Sequence, residues 1–201
     1  PPNTTDTMLM FSADVVGYAR NHIKSLIGHD VTPIFFNGPK GGLKAKVPFP
    51  NDRFKSCDVI GKQLAKEVFN LWNETEVKDK IAISTFKHRY VFEPKPTASR
   101  FLLSIKKCQT EINLIVFDLV NAFLTTPAKL SYSYDSTFKS YAKKIGFKQL
   151  SILDLVNDAH GYVNSKDQAE RSEFSLGGEM YGQIMENKVC TLLEDALPNK
   201  S

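Results

Sequence analysis

Apolar and polar residues alternate along Lys80–Phe92, and this period of two predicts a long strand with one face buried. Val15, Tyr18, Ala19, His22, Ile23 and Leu26 recur at helical spacing instead. They predict a helix that Asp14 caps and Gly28 ends. A second helical stripe, Ile60, Leu64, Val68, Leu71 and Trp72, predicts a helix over about Asp58–Trp72 with those side chains on one face. Short apolar runs at Met8–Ala13, Thr32–Phe36, Phe101–Ile105, Ile112–Phe117 and Phe147–Leu155 are strand-sized. The polar stretch Lys106–Glu111 reads as a hairpin connection. The segment Asn37–Ser56 is rich in Gly, Pro and Lys and reads as a long loop.

Thr126-Pro127 carries the residue types favoured at a helix start, and Gly146 those of a helix stop, so a helix is expected between them. With strands at Ile112–Phe117 and Phe147–Leu155 on either side, this is a βαβ unit with parallel strands. A last helix is expected over Tyr181–Leu197, ending before Pro198. The fold class is therefore α/β: a mixed, partly parallel sheet flanked by helices, with at least one βαβ unit. A polar lead-in over residues 1–7 precedes a single domain over residues 8–201. Ligands in such folds sit beyond the carboxyl ends of parallel strands. That placement selects three rim loops, Asn37–Lys46, Asp118–Thr125 and Asn157–Ser175.

Composition narrows the class without naming an activity. Of 201 residues, 42% are apolar and 24% charged, which excludes a disordered or collagen-like chain. The net charge is +4 and the basic residues are dispersed, so no nucleic-acid partner is expected. No apolar run reaches the roughly 18 residues of a transmembrane segment. Cys57, Cys108 and Cys190 form no CxxC pair and read as buried thiols. The chain begins Pro1-Pro2 with no initiator Met and no signal-peptide pattern, which reads as a processed or partial product. Nothing indicates a compartment.

The residues that carry chemistry are few. His22, His29 and His88 fall in a helix, a turn and a strand and read as structural. No HExxH, GxSxG or P-loop motif is present. The loop NGPKGGLKAK, with Lys40, Lys44 and Lys46, is either an anion cradle or simply exposed. Asp118 and Asp158 either face the rim or cap turns. His160 lies in a rim loop beside Asn157, Asp158 and Tyr162. The candidate ligand-binding residues are Asn37, Lys44, Asn121, Asp158, His160 and Tyr162.

Four stretches give the chain a family likeness: FSADVVGYAR at Phe11–Arg20, IFFNGPKGGLKAKV at Ile34–Val47, INLIVFDLVNAFLTT at Ile112–Thr126, and VNDAHGYVNSKDQAERSEFSLGGEMYG at Val156–Gly182. In these the chain resembles the second half of the catalytic domain of neutral/alkaline ceramidases. Members of that family are zinc amidases that cleave the N-acyl bond of ceramide. The resemblance implies Tyr162 as the tyrosine zinc ligand, with His160 the neighbouring residue able to join it. It also places the family's glutamate ligand on Ala122 or Phe123, its serine on Lys44, the preceding aspartate on Gly42, and a second tyrosine on Phe174. None of these replacements can do the original chemistry, so no catalytic residue is assigned. The expectation is a divergent, non-catalytic relative without a cofactor. Its role would be to bind a lipid-like or anionic small molecule, or a second chain. The alternative is a zinc-dependent amidase of N-acyl lipids whose remaining ligands come from an N-terminal segment or another subunit. A third reading is a generic α/β interaction protein, which would apply if Lys44, Asn121 and Tyr162 lie too far apart to line one pocket.

Overall fold

A computed structural model describes residues 11–41, 43, 46–92, 108–163 and 178–197. They form two compact units, Pro1–Phe35 with Leu43–Asp79, and Phe36–Gly42 with Lys80–Ser201.

The first unit is a pair of helices, α1 (Asp14–Ile27) and α2 (Arg53–Glu74). The Ser12 hydroxyl accepts the Asp14 amide at 3.0 Å, and Gly28, at φ 143°, closes α1 through its N–H to Lys24. Asp52 caps α2 by accepting the Lys55 amide at 2.9 Å, so this helix begins five residues before the expected Asp58. The helices bury Asp14, Val15, Ala19 and Ile23 of α1 and Ser56, Cys57, Gly61 and Ala65 of α2. Cys57, Gly61 and Ala65 recur every four residues and make a seam of small side chains. A Cβ on Gly61 would lie 2.7 Å from Tyr18 Cβ and 2.8 Å from the Ala19 nitrogen, so the two backbones touch at this point. The Cys57 thiol donates to Asp14 Oδ1 at 2.5 Å, and His22 Nε2 meets Asp58 Oδ1 at 2.7 Å. Of the apolar stripe, Ile60 and Val68 are half-buried, while Leu64, Leu71 and Trp72 are exposed. A close crossing needs small residues, and the bulky ones are displaced from the seam.

The second unit is built on a four-stranded sheet in the order β1-β2-β3-β5. β1 (Ile83–Phe92) pairs antiparallel with β2 (Cys108–Phe117) along its whole length, with Ile83 opposite Phe117. Residues 108–111 therefore belong to a strand, whereas a connection was expected there. Asp118 (φ 49°) and Leu119 (φ 63°) turn the chain into β3 (Asn121–Thr126), which runs antiparallel to β2. The chain continues through β4 (Lys129–Leu130) and helix α3 (Tyr132–Ile145) to β5 (Gln149–Asp154), which lies parallel to β3. The expected βαβ unit exists, but its first strand is β3 rather than Ile112–Phe117. Its helix is capped by Ser131 rather than Thr126, and it ends at Gly146 (φ 124°) as expected. A short β6 (Tyr162–Val163) pairs parallel with β4, and α4 (Gly178–Asp195) closes the unit.

One face of the sheet holds the core. Ile112, Leu114, Val116, Ala122, Leu124, Leu150 and Ile152 point to this face. They meet Phe138 and Ala142 of α3 and Met185, Val189, Leu192 and Leu193 of α4. Thr32–Phe36, expected as a buried strand, lies outside any strand, and Ile34, Phe35 and Phe36 are exposed. The expected strand at Phe101–Ile105 and residues 8–10 of that at Met8–Ala13 lie outside the described residues, and Phe11–Ala13 lead into α1 without forming a strand. No described helix is long and apolar enough to cross a membrane.

Candidate functional site

The parallel strands β3 and β5 end side by side, Thr126 opposite Asp154. Three segments converge beyond these ends. Asn37 bridges to Asp154 and accepts its amide at 2.7 Å. Gly41 donates to the Leu130 carbonyl at 2.8 Å and accepts from Tyr132 at 3.1 Å. Lys129 donates to Gly161 at 2.7 Å, Ser131 to Val163 at 2.9 Å, and His160 to Pro127 at 2.9 Å. Asn37–Gly41, Pro127–Ser131 and the chain after β5 are thus stitched into one rim. The glycine at 41 is required, because a Cβ there would come within 2.8 Å of the Leu130 oxygen. Part of the segment read as an exposed loop is accordingly pinned to the sheet.

A carboxylate that the sequence reading overlooked sits at the centre. Asp154 is 3% exposed. Its Oδ1 accepts from the Thr126 hydroxyl at 2.9 Å and its Oδ2 from the Leu130 amide at 2.9 Å. Burial pushes its carboxyl up to about 6, against the two hydrogen bonds and the Lys40 charge, which favour the ionised form. The available signal was a lone acid in the apolar run LSILDLV.

The candidates fall out unevenly. Asn37 is on the rim, and its Oδ1 accepts from Lys40 Nζ at 2.8 Å. Asp158 and His160 form a pair, Oδ2 to Nε2, at 2.8 Å. The His160 side chain is buried, and desolvation holds the imidazole below its ordinary value although Asp158 pulls the other way. Tyr162 is half exposed, and the Lys129 ammonium rests 4.9 Å from its ring centroid. Asn121 is not on the rim with Tyr162, so the two do not line one pocket. The condition set for the generic interaction reading is met for this pair, and only the rim residues remain to form a ligand site. Asn121 begins β3 opposite Gln149, a strand length of about 17 Å from the end where Thr126 and Asp154 meet. Asp118 lies at that far end too, where it exchanges hydrogen bonds with Ala82. Lys44, Gly42 and Phe174 lie outside the described residues.

An open groove of about 410 Å³ adjoins the rim, lined by Arg89, Gln109, Thr110, Glu111, Asn157 and Asp158. Desolvation would raise the Glu111 carboxyl, but Lys87, Arg89 and Asn113 outweigh it and hold it below its usual range. Asn157, at φ 68°, donates to Glu111 Oε1 at 3.2 Å.

A catalytic zinc takes three protein ligands and an open position. Here Tyr162 carries a lysine ammonium, and His160 spends Nε2 on Asp158. Ala122 is buried in the core, while Phe123 packs edge-on to Phe117 at 5.1 Å. Among the described residues no three His, Cys, Asp or Glu side chains are grouped to hold a metal ion. The described residues do not fit a catalytic zinc.

No family model matches the sequence, and no curated protein matches it. The architecture itself defines the class: this is a ceramidase-like α/β fold. The chain is similar to the neutral ceramidase of Pseudomonas aeruginosa, with a TM-score of 0.62 and 15% identity over 96% of this chain and 42% of that one. It is also similar to a ceramidase complexed with C2, with a TM-score of 0.60 and 13% identity over 96% of this chain and 44% of that one. The chain thus spans less than half the length of either structure, and at these identities the likeness is one of fold.

Proposed function

We propose that the rim beyond β3 and β5 binds a ligand and does not hydrolyse one, so that the chain is a divergent, non-catalytic member of the ceramidase-like folds. The supporting observation is the Lys129 ammonium on the Tyr162 ring, 4.9 Å from its centroid. A resident cation beside the one retained ligand type repels a divalent ion. The same lysine, with Lys40 on the neighbouring segment, favours a ligand with an anionic group, and the half-exposed Tyr162 ring offers an apolar surface next to it. A lipid-like anion suits that combination.

The test uses the full-length protein. Titration with dodecyl phosphate is expected to show saturable binding that Lys129→Ala weakens at least fivefold. Zinc-supplemented protein is expected to release no fatty acid from an N-acylsphingosine. Release that Tyr162→Phe abolishes would overturn the proposal in favour of a zinc amidase completed by another segment or subunit.

A further inference from the structure

Thr126 offers one hydroxyl hydrogen to two acceptors, Asp154 Oδ1 at 2.9 Å and the Ala128 carbonyl at 3.2 Å. Only one can take it at a time. When Asp154 is ionised its two oxygens only accept, and Thr126 and Leu130 supply the two donors. When Asp154 is protonated its own O–H needs an acceptor. Thr126 Oγ1 is within reach, provided that hydroxyl turns its hydrogen to Ala128. The Leu130 amide keeps its acceptor on Oδ2 in both states. Each pattern keeps Asp154, the Thr126 hydroxyl and the Leu130 amide paired, and only the Ala128 carbonyl gains or loses a donor, although Thr126 is buried and Asp154 nearly so.

We propose that Asp154 is a proton-operated latch: gain or loss of one proton rotates the Thr126 hydroxyl and makes or releases its bond to Ala128, next to the β4 residues that carry the rim. The proposal goes beyond the binding role and holds whether or not the rim binds a ligand. Ala128 leads directly into Lys129 and Leu130, so a change in its carbonyl bond is felt by the β4–β6 pair and by the Lys129–Tyr162 stack. The charges acting on Asp154 come from two sides. Lys40, on the Asn37–Gly41 segment, favours the ionised form, and Asp135, in the first turn of α3, opposes it. Lys129 is turned to Tyr162, and Asp158 and His160 are committed to each other. With burial, these influences put the carboxyl near 6, so both patterns are populated around that pH.

The experiment is an NMR titration of the full chain between about pH 4.5 and 7.5, following the Asp154 side-chain carbon and the backbone amides of Ala128, Lys129 and Leu130. The expected result is a common midpoint near 6 for all of them. Asp154→Asn mimics the protonated pattern, its Nδ2–H donating to Thr126 and its carbonyl accepting Leu130. It should hold the Lys129 and Leu130 amides at their low-pH positions throughout. Thr126→Val should leave Asp154 titrating but remove the response of Lys129. An Asp154 carboxyl that stays ionised down to pH 4.5, or titrates without moving Lys129 and Leu130, would overturn the proposal. The unmodified protein decides this even if a variant fails to fold.

Discussion

Gly61→Ala sets two known effects against each other at the α1–α2 crossing. Alanine is the better helix former by about 1 kcal/mol, so on an isolated helix the change would stabilise. At the crossing its Cβ would lie 2.7 Å from Tyr18 Cβ, 2.8 Å from the Ala19 nitrogen and 3.0 Å from the Tyr18 carbonyl carbon. Two of these three atoms are backbone and cannot swing away, so the helices must part by several tenths of an ångström. Parting them opens the seam around Cys57 and Ala65, both fully buried, and stretches the Cys57–Asp14 contact. Overpacking costs about 1–3 kcal/mol, and with two backbone atoms in the way the upper part of that range, about 2–3 kcal/mol, applies, so the expected net loss is about 1–2 kcal/mol after the propensity gain. Trp72 is the single tryptophan and lies on α2, so its fluorescence during urea unfolding reports this unit directly. Lys62→Ala, on the exposed neighbouring position, is the control and should leave the midpoint almost unmoved. A Gly61→Ala midpoint equal to or above that of the parent protein would refute the close crossing.

Phe138 is fully buried between α3 and the sheet, and Phe138→Ala should lower the stability of the second unit by about 3–5 kcal/mol, read by far-ultraviolet circular dichroism in urea. Gly41→Ala places a Cβ 2.8 Å from the Leu130 oxygen and should break the Gly41 bonds to Leu130 and Tyr132, which faster limited proteolysis near residue 41 would reveal. Asp154 has a carboxyl raised from 3.8 to about 6 in the folded chain, so the folded state holds the proton more tightly. Its contribution to stability is complete below about pH 4 and lost as the pH rises through 6. The loss is at most about 3 kcal/mol for a shift of roughly two units. Asp154→Asn should remove that part of the pH dependence, and identical slopes for parent and variant would contradict the burial argument.

Much of the architecture could be read from pattern alone. The alternation after Lys80 gave β1, and Gly28 and Gly146 stop their helices because each takes a positive φ. The errors have physical causes. Thr126-Pro127 has the composition of a helix start, but Thr126 spends its hydroxyl on Asp154 and Ala128, and Ser131 caps the helix instead. β3 was hidden because Asn-Ala-Phe-Leu-Thr-Thr lacks strong alternation. The face that α2 turns to α1 was not legible from the apolar stripe, because hydrophobicity ranks Leu64 and Trp72 above Gly61 and Ala65, whereas a close crossing ranks by size. Of the candidate residues, Asn37, Asp158, His160 and Tyr162 lie on the rim, where their loops placed them. Asn121 was misplaced because the strand it begins was taken for a loop, which put it at the wrong end of the sheet. Asp154 escaped notice because a carboxylate in an apolar strand is recognised only once its donors are in view.

The account turns on whether Tyr162 and His160 are occupied by neighbouring side chains or by a metal. Elemental analysis of the full-length protein, purified without chelators and equilibrated with zinc at neutral pH, measures this directly. The account predicts well under one zinc per chain, with Tyr162→Phe leaving the amount unchanged. One tightly held zinc per chain, lost in Tyr162→Phe, would contradict it.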